Sequence, residues 1–218
     1  LAGDLAGSGL KVLVLERGVQ LPVEDQNVAD VGLFRKDRYH PKEQWFGTDG
    51  DPFSPQTLYA LGGNTKIWGG VLECMREQEF KGLALQEAHA PAWGLSYGEM
   101  APWYAQAEDL YRVHGRSGVD PTEPSRPADY GLAPKPIEPF MEELRSALQR
   151  HGTHPYDLPL SWSQSPVDPT GDAELFGVDR ALEPKGAITV RTGTEVTRLH
   201  VNPAGTEVRG VEANVAGQ

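Results

Sequence analysis

Sulfur is scarce in this chain. Cys74 is the one cysteine among 218 residues, which excludes a disulfide within the chain and a cysteine-cluster metal site. There are three methionines, Met75, Met100 and Met141, and the first residue is Leu1. No charged-then-apolar leader stands at the start. A processed N-terminus or a piece of a longer polypeptide is therefore expected. Positive charge is also in deficit: 20 Lys and Arg face 31 Asp and Glu, a formal net charge of −11. That balance, with no basic tract, argues against nucleic acid and against anionic membrane surfaces. No apolar run approaches the roughly 20 residues of a membrane span. Glycine (25) and proline (18) are plentiful, yet Trp, Tyr and Phe are numerous enough to build a core. The expectation is a loop-rich globular chain rather than a disordered one.

The first eighteen residues carry a compact pattern. Leu1, Ala2, Leu5 and Ala6 fall at helical spacing, and Gly7 and Gly9 stop the helix. Val12-Leu13-Val14-Leu15 reads as a buried parallel strand ending at Glu16-Arg17-Gly18. Helix, glycine turn and acid-terminated strand make half of a βαβ unit. An acid at that place can accept hydrogen bonds from a ribose diol. It can equally be a surface glutamate, and the pattern leaves both readings open. The matching phosphate-binding glycines belong about 20 residues earlier, before Leu1.

Residues 19–58 show weak periodicity and read as a surface excursion. Leu61-Gly-Gly-Asn-Thr-Lys-Ile-Trp-Gly-Gly70 follows, with two glycine pairs around a polar and aromatic centre. Glycines let backbone N–H groups approach a phosphate or a flat ring. Lys66 would favour an anion and Trp68 a conjugated ring; the competing reading is a tight turn beneath a packed Trp.

Residues 96–114 predict a helix, with Ser96 and Glu99 as a capping box and Met100, Trp103, Tyr104, Ala107, Leu110 and Tyr111 on one face. Pro102 predicts that its regular part starts only there. The proline-rich 117–139 reads as a connector. A second helix is expected over 138–151, with Phe140, Met141, Leu144 and Leu148 on one face, and 153–185 as irregular chain. Strands are expected at 187–191, 195–201 and 206–215, with a turn at Asn202–Gly205. The six histidines stand outside metal or nucleophile spacings, so surface or satisfied roles are expected. Cys74 reads as a small buried hydrophobe. Trp45, Trp93 and Trp162 read as loop residues, and Glu73, Glu77 and Glu79 as a solvated face.

Taken in order, LAGSGLKVLVLERG, LGGNTKIWGG, VLECMREQEF and ITVRTGTEVTRLHV…VRGVE resemble the N-terminal, FAD-binding part of the glucose–methanol–choline (GMC) oxidoreductase family. The Trp-Gly-Gly resembles its sugar and sugar-acid dehydrogenase branch. The resemblance implies an α/β fold: an incomplete Rossmann-like FAD/NAD(P)-binding domain with an interleaved cap or substrate region. Residues 1–75 and 186–218 would form the FAD core and 76–185 the cap. It implies FAD as cofactor, with Glu16 on the adenosine ribose and Arg17 and Gly18 on the adenine side. Gly63, Asn64, Thr65, Trp68, Gly69, Gly70 and Val71 would run along the pyrophosphate and flavin, and Val196 would lie near adenine. The implied reaction is oxidation of an alcohol, sugar or sugar acid by hydride transfer to flavin. Oxygen, a quinone or a haem protein would accept the electrons, and the cytoplasm or periplasm would house the protein. The family's catalytic His would lie beyond Gln218, so the chain by itself is expected to be inactive. A rival expectation is a non-catalytic flavin-binding remnant. An NAD(P)H-dependent reductase would need a second glycine fingerprint, which the sequence lacks.

Overall fold

A computed structural model describes residues 1–22, 41, 43–84, 89–163, 171–182 and 188–216. In chain order the elements are α1 (Ala2–Leu5), β1 (Val12–Leu15), β2 (Trp45–Phe46), β3 (Pro52–Phe53), α2 (Glu77–Phe80), β4 (Leu83–Ala84), β5 (His89–Ala90) and α3 (Tyr97–Leu110). After them come β6 (Val113–His114), α4 (Pro139–Arg150), β7 (Leu160–Ser161), α5 (Asp179–Leu182), β8 (Ile188–Arg191), β9 (Thr194–Val201) and β10 (Val208–Val215). Helices and strands are mixed throughout. Two compact units are present: Leu1–Trp68 with Gln164–Gln218, and Gly69–Ser163.

In the first unit, Gly7 and Gly9 end α1 with φ of 85° and 81°, a conformation that glycine adopts without a Cβ penalty. β1 pairs in parallel with β8, Val12 opposite Ile188 and Leu15 opposite Arg191. Glu16 N–H extends that ladder to Arg191 O at 2.9 Å. On the other side Val19 makes a parallel bridge to Ala60, and Leu61 N–H donates to Val19 O at 3.0 Å. Leu58, Ala60, Leu61, Ala181 and Ile188 form the buried apolar residues here. The strand is less buried than its composition predicts, with Leu13 57 % exposed. A continuous apolar run needs cover on both faces, and among the described residues only one face of β1 has it.

Two stretches read as irregular contain structure. Trp45–Phe46 and Pro52–Phe53 form a hairpin in which Gly47 N–H bonds Asp51 O and Trp45 meets Phe53 edge-on at 6.2 Å. Trp45 is thus a strand residue, not a loop one. After Gly171, a π-helical turn (Glu174–Val178) runs into α5. Asp172 starts it, accepting from Leu175 N–H at 2.9 Å through Oδ1, as helix-initiating aspartates do. β9 and β10 pair antiparallel about the Asn202–Gly205 turn. The predicted strand start at Ala187 lies outside the described residues.

In the second unit, Cys74, Phe80, Tyr97 and Ala101 form the core, with Met75, Met100 and Tyr104 against it. Ser96 caps α3 as predicted, and Glu99 reciprocates on Ser96 N–H at 2.8 Å. Pro102 does not delay the helix, which begins at Tyr97. Proline withdraws one N–H, the one that would reach Gly98, at a cost of about 3 kcal/mol. The capping box and the burial of Tyr97 and Ala101 ahead of the proline offset that cost. The buried face is therefore Tyr97, Met100, Ala101 and Tyr104; Trp103, expected on it, is 63 % exposed. α4 forms where expected, with Pro139 in its first turn and Gly152 at φ 79° beyond it. Its apolar stripe is not buried: Phe140, Met141, Leu144 and Leu148 are all exposed. Glu79 belongs to no simple solvated face, since its carboxylate accepts from Arg76 N–H at the start of α2.

Cys74 sits within the second core as predicted. Burial, followed by the Glu108 carboxylate 3.3 Å away, pushes its thiol up to about 12. At pH 8 roughly one molecule in 10⁴ then carries the thiolate, the form that alkylates. Native protein should label with iodoacetamide only very slowly, and urea-unfolded protein rapidly. Equal rates, read by mass spectrometry, would contradict this burial.

Candidate functional site

The site builds outward from the end of β1. Glu16 is half-buried there, held through its backbone by Arg191 O and Thr194 N–H. Its Oε1 accepts Gly18 N–H at 2.6 Å. Oε2 has no partner among the described residues, so the carboxylate is oriented and still has an acceptor to offer. Gly18 is buried between two backbones: Gly193 N–H donates to its carbonyl at 2.6 Å, while a Cβ on Gly18 would fall 2.5 Å from Ala60 N and closer still to the Tyr59 carbonyl. Only glycine fits this crossing.

Arg17 is fully engaged. Its guanidinium lies 2.9 Å from Glu43 and 3.2 Å from Glu195, and 4.1 Å above the Tyr59 ring. The bond from Arg17 holds the Glu43 carboxyl below its ordinary range. Trp45 Nε1–H and the Tyr59 hydroxyl also donate to Glu43. Through Glu195, Arg17 ties the Glu16 turn to the start of β9, where Val196 stands 41 % exposed opposite Ala213. Glu16, Arg17 and the Val196 strand are thus brought together by folding, across about 180 residues of sequence.

The glycine-rich segment leaves this crossing through Tyr59–Leu61. Gly62 and Gly63 adopt φ of 91° and 55°, which opens a 3₁₀ turn over Gly63–Lys66. Asn64 staples the turn from within, accepting from Leu58 N–H at 2.6 Å and donating to Gln56 O at 2.9 Å. Thr65 donates to Gly62 O and accepts from Ala173 N–H at 2.9 Å. Trp68 Nε1–H donates to Gly171 O at 3.1 Å, so its indole is anchored at the edge. Lys66 does not offer a free ammonium to an anion. It is bound to Asp172 at 2.7 Å and Glu174 at 2.6 Å. Burial alone would lower this ammonium, but the bonds to both carboxylates outweigh it and hold the group above its ordinary value.

In the second unit, Gly70 (φ 72°) accepts Ser161 N–H through its carbonyl at 2.7 Å, and Val71 bridges to Leu160. Gly69 precedes them, exposed. The boundary between the units falls between Trp68 and Gly69.

Sequence reasoning missed the partner of the loop, Gly171–Glu174. Asp172 is fully buried and Glu174 nearly so, a placement rare for acids and invisible to composition. The one legible signal was an aspartate just ahead of an apolar helical stretch. Among the described residues no cluster of His, Cys, Asp or Glu is arranged to hold a metal ion, and no helix is long and apolar enough to cross a membrane. His89, His114, His151 and His154 belong to the second unit; His200 is 3.5 Å from Glu212 on the exposed hairpin.

The sequence matches no protein-family model and none of the curated proteins compared with it. Solved structures do resemble it. Pyridoxine 4-oxidase from Mesorbium loti matches over 100 % of this chain with a TM-score of 0.64 at 16 % identity. A variant of formate oxidase from Aspergillus oryzae RIB40 matches over 99 % with a TM-score of 0.58 at 18 % identity. This chain spans 44 % and 40 % of those chains. At such identities the likeness is one of fold: the chain folds as a part of these two oxidases does.

Proposed function

We propose that this chain is the FAD-binding part of a GMC-type flavin oxidoreductase that oxidises an alcohol, sugar or sugar acid. The observation that carries the reading is the fold likeness to two oxidases along essentially the whole chain, one of them described by the modification of its FAD. The ordered motifs of the sequence point the same way. In this reading residues 1–75 and 186–218 serve a Rossmann-like cofactor core and 76–185 the cap over the substrate.

The residues present fit the dinucleotide. Glu16 has an oriented carboxylate with one oxygen unspent, which suits the hydroxyls of the adenosine ribose. Gly63, with nothing within 4 Å of where a side chain would stand, brings bare backbone to the loop surface, where a pyrophosphate needs close approach. Arg17 contributes by fixing the Glu16 turn against β9 rather than by meeting a phosphate, since two carboxylates already claim it. Gly18 and Val196 would flank the adenine, and Asn64, Thr65, Trp68, Gly69, Gly70 and Val71 would follow the remainder of the cofactor. Bound FAD supplies the hydride acceptor; the protein contributes binding, orientation and exclusion of water. The substrate is a small molecule with a CH–OH group.

The test is flavin retention by the protein expressed from its gene at natural length. Purification should yield a flavin absorbance spectrum with FAD released on denaturation. Glu16→Ala should weaken FAD binding roughly 10- to 100-fold, the worth of a charged hydrogen bond. Unchanged retention would remove Glu16 from the site, and a colourless wild-type protein would sink the reading.

A further inference from the structure

The glycine-rich loop is fastened to a segment more than 100 residues away by charges with little access to water. Lys66 Nζ bonds Asp172 Oδ2 and Glu174 Oε2 at 2.7 and 2.6 Å. Asp172 is 0 % exposed and Glu174 5 %. The remaining carboxylate oxygens are occupied as well: Leu175 N–H donates to Asp172 Oδ1 at 2.9 Å and Gln20 Nε2 to Glu174 Oε1 at 2.7 Å. Thr65 and Trp68 add the bonds to Ala173 and Gly171 described above. The arrangement therefore ties three residues of the loop, Thr65, Lys66 and Trp68, to one four-residue strip.

A buried ion cluster is a poor source of net stability, because desolvation cancels most of the Coulombic gain. What it supplies is geometry. If the loop shifted by one residue, two buried carboxylates would face each other without a cation. The loop supplies the cation for two of the four oxygens, and only a placement of Gly62–Lys66 that brings Lys66 Nζ to both Asp172 Oδ2 and Glu174 Oε2 does so. We propose that Lys66, Asp172 and Glu174 are positioning residues for the cofactor: they set the backbone of the glycine-rich loop against FAD without touching FAD themselves. This rests on the FAD reading above. It also reverses the expectation that Lys66 meets an anion, since its ammonium would have to abandon both carboxylates to do so.

The experiment measures two quantities, FAD affinity of the natural-length protein and thermal stability, for the wild type, Lys66→Met, and the triple variant Lys66→Met/Asp172→Asn/Glu174→Gln. Lys66→Met strands two carboxylates and should lose both. The triple variant removes all three charges of the cluster, so it should recover much of the stability that Lys66→Met loses while FAD binding stays about tenfold or more weaker, as for losses of supporting contacts behind a ligand site. If Lys66→Met fails to fold, the triple variant alone decides. Hydrogen exchange on the same natural-length protein gives an independent readout: amides of 61–67 should exchange faster in the triple variant, and those of β9 and β10 should not change. Wild-type FAD affinity in the triple variant overturns the proposal, as does affinity that recovers in step with stability. Failure of the unmodified protein to bind FAD instead fails the functional reading, and the positioning role with it.

Discussion

Gly18→Ala is expected to be the most damaging glycine-to-alanine change among the described residues. The new Cβ would overlap the Tyr59 carbonyl and lie 2.5 Å from Ala60 N. Those are backbone atoms, and they cannot rotate away as a flexible side chain would. They are also fixed by the Val19–Ala60 bridge and the bond from Leu61 N–H to Val19 O. On the far side Gly193 N–H closes on Gly18 O at 2.6 Å, so the turn cannot retreat. Overpacking of this kind costs about 3 kcal/mol or more. In a chain of this size that lowers the melting temperature by roughly 6–12 °C. Gly9→Ala is the control: its φ of 81° strains an alanine, but nothing lies within 4 Å of the added carbon. It should cost only about 1 kcal/mol. Thermal unfolding of both variants checks the pair. Equal losses would mean that the crossing of residues 16–20 over Tyr59–Ala60 is not as tight as described. Because Gly18 N–H also orients Glu16, the proposed FAD site predicts that the same variant loses flavin before it unfolds.

Arg126→Met should produce the second large loss, in the other unit. The Arg126 side chain is 8 % exposed and, besides the Ala128 carbonyl and the Cys74 sulfur, serves Glu108, Glu123 and Tyr130. It bonds the Glu108 carboxylate, lies 3.3 Å from Glu123 and 3.1 Å from the Tyr130 hydroxyl, and sits 3.9 Å above the Tyr130 ring. Burial alone would lower its guanidinium, but the bond to Glu108 outweighs that and holds it above its ordinary value. Methionine keeps much of the apolar stem and removes the guanidinium with its charge. Glu108 and Glu123, 11 % and 13 % exposed, are then stranded. Removing one partner of a buried pair costs about 3–5 kcal/mol. Arg209→Met, at an ion pair with more than half of each side chain exposed, should cost less than about 0.5 kcal/mol. Urea unfolding of the two variants reads the contrast. A small effect at Arg126 would show that solvent reaches Glu108 and Glu123 far more than their exposure indicates.

Most of the local structure was legible from the chain, and for local reasons. Ser96 and Glu99 announced α3, Gly152 ended α4, and alternation marked β9 and β10 on either side of the Asn202–Gly205 turn. Each of these depends on neighbours within about four residues. Pro102 misled because a proline's local cost was read without the buried Tyr97 and Ala101 that offset it. The stripe on α4 was correctly placed on the helix, but periodicity fixes which residues share a face and not whether anything covers it.

The candidate site divides along the same line. Sequence alone marked Glu16 as a strand-terminal acid and 61–70 as a loop rich in glycine, since both are properties of short segments. Only the tertiary structure decided what their side chains do. Lys66 is a solvated anion binder in one dimension and a buried staple in three, because Asp172 and Glu174 arrive from more than 100 residues away. Arg17 is likewise claimed by Glu43, 26 residues on, and by Glu195 from the far end of the chain. A charge's role depends on which opposite charge shares its low-dielectric surroundings, and that pairing is set by the fold, not by spacing along the chain.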